Sequence, residues 1–234
     1  EMIECFHNGR GLIAHSLLPP GLEGYEEDFK NPYSEFDLDR ARELMALAGY
    51  KDGIDPKTNQ PLKVTMTLVA SAQGSSRYRF FIEQFRNAGV DLKIETLDWP
   101  TVLERKNKKT FQMIHGGWHA DYPDPQNFFQ LFYGPNVKST YNENHYQSAA
   151  FDALYLKTRG MPSGKDRVAL LREMKTILAL DAPVILLFHP LEYGLAHTWV
   201  SPIRPHPVNT NQLKFRALDR SLRKERTRQW NSIF

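Results

Sequence analysis

The sequence has little cysteine and no long hydrophobic run. Cys5 is the single cysteine among 234 residues, so no disulfide can form within the chain and a disulfide-stapled scaffold is excluded. Apolar residues follow one another for at most five positions, as in Val184 to Phe188, whereas a membrane-spanning helix needs about 20. We therefore expect one large or two small globular domains, with Cys5 as a small core residue.

The motifs of common enzyme classes are also absent. There is no Gly-x-Ser-x-Gly elbow, no Gly-rich phosphate loop and no Cys-x-x-Cys pair. His115 and His119 are four residues apart, but on a predicted strand two such side chains stand about 13 Å apart, too far to share one metal ion. The sequence predicts no cofactor and no metal site, and it favours a binding protein over an enzyme.

Positive charge is concentrated at the carboxyl end. Lys and Arg number 30 against 27 Asp and Glu, a net charge of +3, and seven of the basic residues fall between Lys214 and Phe234. A basic tail can meet nucleic acid or anionic lipid. This tail lacks a contiguous basic run, and it fits an exposed helix with Trp230 and Phe234 as an apolar anchor. No nucleic-acid partner is predicted.

Strand and helix patterns alternate in the first half of the chain. A helix capped by Asp37 and ended by Gly49 comes first. The next predicted elements are a strand over 62–70, a helix from Ser75 or Ser76 to Gly89, a strand over 90–97, a helix from about Pro100 and a strand over 111–118. Connections of this length suit parallel strands, so the pattern is that of an α/β fold.

The second half is predicted to be mainly helical. Helical periodicity extends over 148–158 and over 163–180, and Ser163 opens the second helix with the spacing of a capping box. Pro183 ends that helix, and Val184 to Phe188 is predicted to be a buried strand.

The densest cluster of polar and aromatic side chains lies at 118–125, which reads Trp-His-Ala-Asp-Tyr-Pro-Asp-Pro. It follows a predicted strand, and ligands of α/β proteins bind where strands end. Pro123 and Pro125 restrict the residues before them, so the loop is stiff and suited to gripping an ammonium group with a carboxylate. Asp124 can instead cap the helix that follows, whereas the offset of Asp121 suits capping less well.

Four landmarks occur in a familiar order and spacing. They are a helix ending in Ala-Gly-Tyr at 39–50, the Trp-x-Ala-Asp-Tyr-x-Asp-Pro signature at 118–125, Phe-Asp-Ala-Leu at 151–154, and the helix over 167–180 that leads into Ala-Pro-Val-Ile-Leu-Leu at 182–187. In these landmarks the chain resembles the family 5 extracellular solute-binding proteins, the oligopeptide, dipeptide and nickel receptors of ABC importers.

The resemblance covers only the carboxy-terminal part of those longer proteins. It implies an α/β lobe of the periplasmic-binding-protein type (type II, three-layer α/β/α), in which residues 1–200 form the lobe that closes over the ligand. Residues 201–234, which begin with three prolines in seven positions, would return towards the other lobe and end in the basic tail. The implied partners are an oligopeptide or other small solute, the amino-terminal lobe of the same protein and an ABC permease. The implied location is the periplasm or the cell surface.

The resemblance also implies roles for four residues. Asp121 would pair with the α-ammonium group of a peptide, Trp118 and Tyr122 would lie beside the ligand, and His189 would face the cleft, although it can equally be a surface histidine. The implied function is solute capture by closure of two lobes, without catalysis. Two alternatives stay open: a stand-alone interaction or regulatory module built on the receptor lobe, and a metal-dependent hydrolase using the His and Asp residues between His115 and Asp124.

Overall fold

The computed structural model describes residues 1–70, 75–139, 141–201 and 216–231. Its strands are β1 (Gly11–Ile13), β2 (Ile54–Asp55), β3 (Gln60–Pro61), β4 (Lys63–Val69), β5 (Asp91–Leu97), β6 (Met113–Ile114) and β7 (Phe188–Pro190). Its α-helices are α1 (Met2–His7), α2 (Leu38–Leu47), α3 (Ser75–Asn87), α4 (Trp99–Lys108), α5 (Gln126–Phe129), α6 (Ala149–Thr158), α7 (Lys165–Asp181) and α8 (Arg220–Asn231).

A three-stranded parallel sheet organises the first half, in the order β5-β4-β6. Lys63 lies opposite Asp91 and Val69 opposite Leu97, so β4 and β5 pair along their whole length. Helix α3 crosses between these strands, which confirms the predicted parallel connection. Met66, Leu68 and Leu92 form the buried core on the sheet, and aromatic side chains of α3 pack against them.

A second core lies among the helices of the second half. Its buried members come from the segment before α2, from α5 and the turn after it, and from α6 and α7. They are Leu18, Leu22, Phe128, Phe129, Phe132, Phe151, Tyr155, Leu171, Met174 and Leu178. Aromatic rings meet at its centre, with Phe129 and Phe151 at a centroid distance of 6.1 Å. This core holds α5 in place, directly after the signature loop.

The predicted cap at Asp37 is confirmed. The Asp37 carboxylate accepts a hydrogen bond from the Arg40 backbone N–H at 2.8 Å. Ser148, for which the sequence predicts only the start of a helical stretch, also caps its helix, because its hydroxyl accepts from the Phe151 N–H at 3.4 Å. Helix α4 begins at Trp99, slightly before the predicted Pro100, because Asp98 caps it by accepting from the Thr101 N–H.

Two predicted strands are wrong in extent. The strand expected over 111–118 is only Met113–Ile114, followed by one further bond from His115 N–H to the Thr67 carbonyl, and the chain then leaves the sheet through two glycines. The strand expected over 184–188 is instead Phe188–Pro190, since its partner β1 is only three residues long. Ile185 is 66% exposed, so this segment is not buried.

Two smaller predictions are also wrong. Ser163 does not cap α7; the helix is preceded by Gly164, whose backbone N–H donates to the Glu23 carboxylate at 2.9 Å. Glu23, which is distant in sequence, therefore accepts the N–H at the start of this helix in place of the local residue Ser163. Cys5 is exposed rather than in the core, because α1 has no buried residue.

The basic end of the chain forms α8, an exposed helix as expected. The predicted proline-rich passage after Ser201 and the side chains of Trp230 and Phe234 lie outside the described residues, so the boundary between 1–200 and 201–234 stays a prediction. In the part of the chain that the structure describes, no helix combines the length and apolar character needed to cross a bilayer.

Candidate functional site

The signature loop runs from the end of β6 to the start of α5, at the carboxyl edge of the parallel sheet. Trp118, Asp121 and Tyr122 are all exposed on this loop. The loop thus presents two aromatic side chains and a carboxylate to solvent, at the edge where α/β folds commonly bind ligands. The structure brings these three predicted site residues together.

Asn127 lies directly beneath the loop and is fully buried, with no exposed surface. Its side-chain oxygen accepts from the Trp118 indole N–H at 2.8 Å and from the Asp121 backbone N–H at 3.2 Å. Its side-chain nitrogen donates to Asp121 Oδ2 at 3.2 Å. One buried amide therefore joins the ring of Trp118 to the carboxylate of Asp121.

Asp124 anchors the other end of the loop. Arg167, on the first turn of α7, donates to both oxygens of Asp124 at 2.7 and 2.8 Å and to Glu23 at 2.6 Å. Asp124 also accepts from the Gln126 backbone N–H at 2.8 Å, the capping role weighed from the sequence. Burial opposes the charge of Arg167, but Asp124 and then Glu23 raise the pKa of this guanidinium above its ordinary value.

Tyr122 is held by a chain of side-chain hydrogen bonds. Its hydroxyl donates to the side-chain oxygen Oε1 of Gln126, and the side-chain nitrogen Nε2 of Gln126 donates to the Tyr155 hydroxyl at 2.5 Å. Tyr133 stacks on Tyr155 with ring centroids 4.6 Å apart. Through Gln126 the exposed phenol of Tyr122 is tied to the helical core.

His189 lies apart from this loop in the hydrogen-bond network. It sits half-buried on β7, opposite Leu12 of β1, and among the described residues no hydrogen bond joins it to Trp118, Asp121 or Tyr122. Burial lowers the pKa of its imidazole, which a hydrogen bond that the imidazole donates to the Ser16 backbone partly offsets. The side chain is therefore neutral near pH 7.

The two histidines of the metal hypothesis occupy different surroundings. His115 lies against the rings of Tyr78 and Phe81, at centroid distances of 6.5 and 6.3 Å, and burial together with Arg77 lowers the pKa of its imidazole. His119 is exposed. Across residues 1–70, 75–139, 141–201 and 216–231, no three His, Cys, Asp or Glu side chains are grouped closely enough to hold a metal ion.

The family follows from comparison with known proteins. The family model described as "Bacterial extracellular solute-binding proteins, family 5 Middle" matches residues 1–140, more than half of the chain. The chain belongs to this family. The resemblance drawn from the four sequence landmarks is thereby confirmed.

Individual family 5 relatives agree in sequence and in fold. The periplasmic oligopeptide-binding protein OppA of Escherichia coli is 25% identical over 191 residues, which is 79% of this chain and 31% of the relative. Heme-binding protein A of Haemophilus influenzae is 26% identical over 197 residues, 82% of this chain and 34% of the relative. The solved structure of the Helicobacter pylori periplasmic binding protein DppA with the peptide STSA matches with a TM-score of 0.77 and 28% identity, covering 93% of this chain and 41% of that one.

These matches confirm the predicted α/β fold of a periplasmic-binding-protein lobe. The chain spans about a third of the length of the curated relatives it matches. The relatives are solute-binding proteins, and several are named as periplasmic.

Sequence reasoning missed two residues that support the site. Asn127 directly precedes the aromatic pair Phe128 and Phe129, and a polar residue next to apolar core residues can signal a buried hydrogen-bonding role. Arg167 occupies the same face of α7 as Leu171 and Met174, which are buried. A charged residue at the first position of an apolar helix stripe could have indicated a buried ion pair.

Proposed function

We propose that the chain is the ligand-closing lobe of a receptor that captures short peptides and delivers them to an ABC permease. The observation that carries this proposal is the exposed carboxylate of Asp121, fixed beside the Trp118 indole in a member of family 5. Relatives named for oligopeptides and dipeptides support a peptide ligand. The proposed location is the periplasm or the cell surface, as for the relatives named periplasmic.

The proposed chemistry is a charge-assisted pair between Asp121 and the ammonium group of the peptide. In the open lobe the carboxylate is exposed, and an ion pair in water contributes only about 0–1 kcal/mol. Closure of a second lobe removes water and strengthens each charge-assisted hydrogen bond. The affinity for the peptide therefore depends on closure of the two lobes. The peptide is held by its ammonium group and its backbone, so its side chains matter little.

The remaining proposed contacts are aromatic and neutral. Trp118 and Tyr122 offer flat surfaces beside Asp121, suited to packing along an extended peptide. His189 is proposed as a cleft residue whose neutral imidazole can exchange hydrogen bonds with the ligand, supported by its half-buried position. The proposal is capture without catalysis, with no cofactor and no nucleic-acid partner.

A second lobe is part of the proposal because apolar side chains remain uncovered. Ile13 on β1 is exposed, and so are Tyr193 and Leu195 on the segment after β7. Large apolar side chains left exposed are typical of surfaces that another part of a protein covers. We propose that the amino-terminal lobe of the receptor covers these residues.

Calorimetry with the complete receptor tests the proposal. A mixture of random-sequence tetrapeptides with free amino termini should bind, and the same mixture acetylated should bind more weakly by about tenfold or more, since the ion pair is lost. Asp121→Asn should abolish this difference, whereas Asp39→Asn, an exposed carboxylate on α2, should preserve it. Equal affinity of the unsubstituted receptor for both mixtures refutes the role of Asp121, and equal affinity of this chain alone and of the complete receptor refutes two-lobe capture.

A further inference from the structure

We infer that Asn127 is the positioning residue of the ligand site, holding the Trp118 ring and the Asp121 carboxylate in one arrangement that leaves Asp121 Oδ1 for the ligand. The inference rests on the proposed function, in which Asp121 receives a free amino terminus. It adds a buried residue that does not itself touch the ligand.

Both the oxygen and the nitrogen of the Asn127 side-chain amide form hydrogen bonds. The oxygen accepts twice, from the Trp118 indole and from the Asp121 backbone, which fills both of its lone pairs. The nitrogen donates to Asp121 Oδ2. Because the amide is fully buried, water cannot replace these partners, and each lost bond would leave a buried polar group unsatisfied.

The consequence for Asp121 is an inequivalence of its two oxygens. Oδ2 faces the buried amide, whereas no described residue donates a hydrogen bond to Oδ1. With Oδ2 fixed, rotation of the carboxylate is restricted and Oδ1 is held at the exposed side of the loop. An acceptor that is already oriented loses less side-chain entropy when the ammonium group arrives, so affinity rises without any new contact.

Asn127 can act in this way because its own position is fixed. Its backbone N–H donates to the Asp124 carbonyl at 3.0 Å, and its carbonyl accepts from the Gln130 side chain at 3.1 Å. The next residues, Phe128 and Phe129, are buried in the helical core. The amide is therefore part of a rigid element, and the exposed loop takes its geometry from that element.

One substitution removes the amide. Asn127→Ala eliminates all three hydrogen bonds and places no new charge beside Asp121. The matched control is Asn142→Ala, because Asn142 is equally buried and its side chain also makes three hydrogen bonds, all to Tyr133 and Tyr146.

The readouts are the calorimetric preference of the complete receptor for free over acetylated tetrapeptides and the ¹H–¹⁵N resonance of the Trp118 indole. Asn127→Ala should shift the indole resonance and lower the preference by about tenfold, the worth of an orienting charged hydrogen bond. Asn142→Ala should lose comparable stability and keep the preference, although its neighbour Tyr141 contacts the Trp118 ring.

The failures are distinguishable. If Asp121→Asn abolishes the preference but Asn127→Ala keeps it within about twofold, well below the effect of one hydrogen bond, the inference is overturned and the proposed function stands. If Asn142→Ala lowers the preference as much as Asn127→Ala, general loosening of the loop explains the effect and the inference is also overturned. If the unsubstituted receptor shows no preference, the role of Asp121 fails, and the inference fails with it.

Discussion

Replacing Arg167 by methionine should destabilise the chain strongly, because it removes a buried cation that holds two carboxylates. The Arg167 side chain is 6% exposed, while those of its partners Asp124 and Glu23 are 36% and 20% exposed. Breaking a buried ion pair costs about 3–5 kcal/mol. Since both carboxylates reach some water after the substitution, we expect the lower end of that range, about 3 kcal/mol in the free energy of unfolding.

Urea unfolding followed by far-ultraviolet circular dichroism measures this change. A loss of about 3 kcal/mol corresponds to a fall of roughly 6–12 °C in Tm for a chain of this size. The matched control is Arg172→Met, further along α7, where the arginine side chain is 66% exposed and pairs with Glu26. Glu26 is 15% exposed, but it keeps a second cation, the Lys175 ammonium at 2.6 Å, so no carboxylate is left unpaired and the control should cost only about 0–1 kcal/mol.

A double substitution at Arg167 and Asp124 tests the cause of the lost stability. If the cost comes from a carboxylate left without its cation, Asp124→Asn should recover part of the stability lost in Arg167→Met. The reasoning is refuted if Arg167→Met costs no more than Arg172→Met. It is also refuted if the double substitution is less stable than Arg167→Met alone.

Two further predictions concern backbone contact and pH. Gly53→Ala should cost clearly more free energy of unfolding in urea than Gly49→Ala: both glycines have positive φ, but a Cβ at Gly53 would lie 2.0 Å from the Gly89 carbonyl oxygen, whereas none lies within 4 Å at Gly49. Equal losses would contradict this. Burial lowers the pKa of His115 and His189, so the unfolded chain binds more protons just below their ordinary value of 6.5, and calorimetric Tm should fall from pH 7.5 to 5.5. His115→Gln should reduce that fall; a Tm that does not change between these pH values counts against it.

The sequence predicted well what neighbouring residues decide. Asp37 caps α2 as expected, since a cap needs only a side-chain oxygen three positions before a free N–H. The alternation of apolar residues predicted β4 and β5, and the length of the helical connection predicted their parallel pairing. Prediction failed where the hydrogen-bond partner is distant in sequence. The Glu23 carboxylate accepts from the backbone N–H of Gly164, just before α7, and no local pattern at Ser163 could reveal this bond.

The candidate site shows the same division. Trp118, Asp121 and Tyr122 were found from their order in the loop, and the structure places them together on one exposed surface. Asn127 and Arg167 were missed because their roles depend on packing. An amide fixes the position of its hydrogen-bond partners only when burial keeps water away from it, and an arginine holds a loop only where carboxylates from distant segments meet it.

In the candidate site the carboxylate of Asp121 is exposed, whereas Asn127 and Arg167 are buried, and this difference affects how the lobe would bind a peptide. An exposed carboxylate gains little from an ammonium group in water, so under the proposed function most of the affinity must appear on closure. Closure gains more when the carboxylate is already oriented, since a mobile side chain would lose its rotational freedom at that step. Asn127 orients Asp121 from beneath the loop, and Arg167 fixes Asp124 at the far end of the loop, so both act from positions that no ligand need touch. Ligand specificity can therefore change through the exposed residues while the buried supports stay constant.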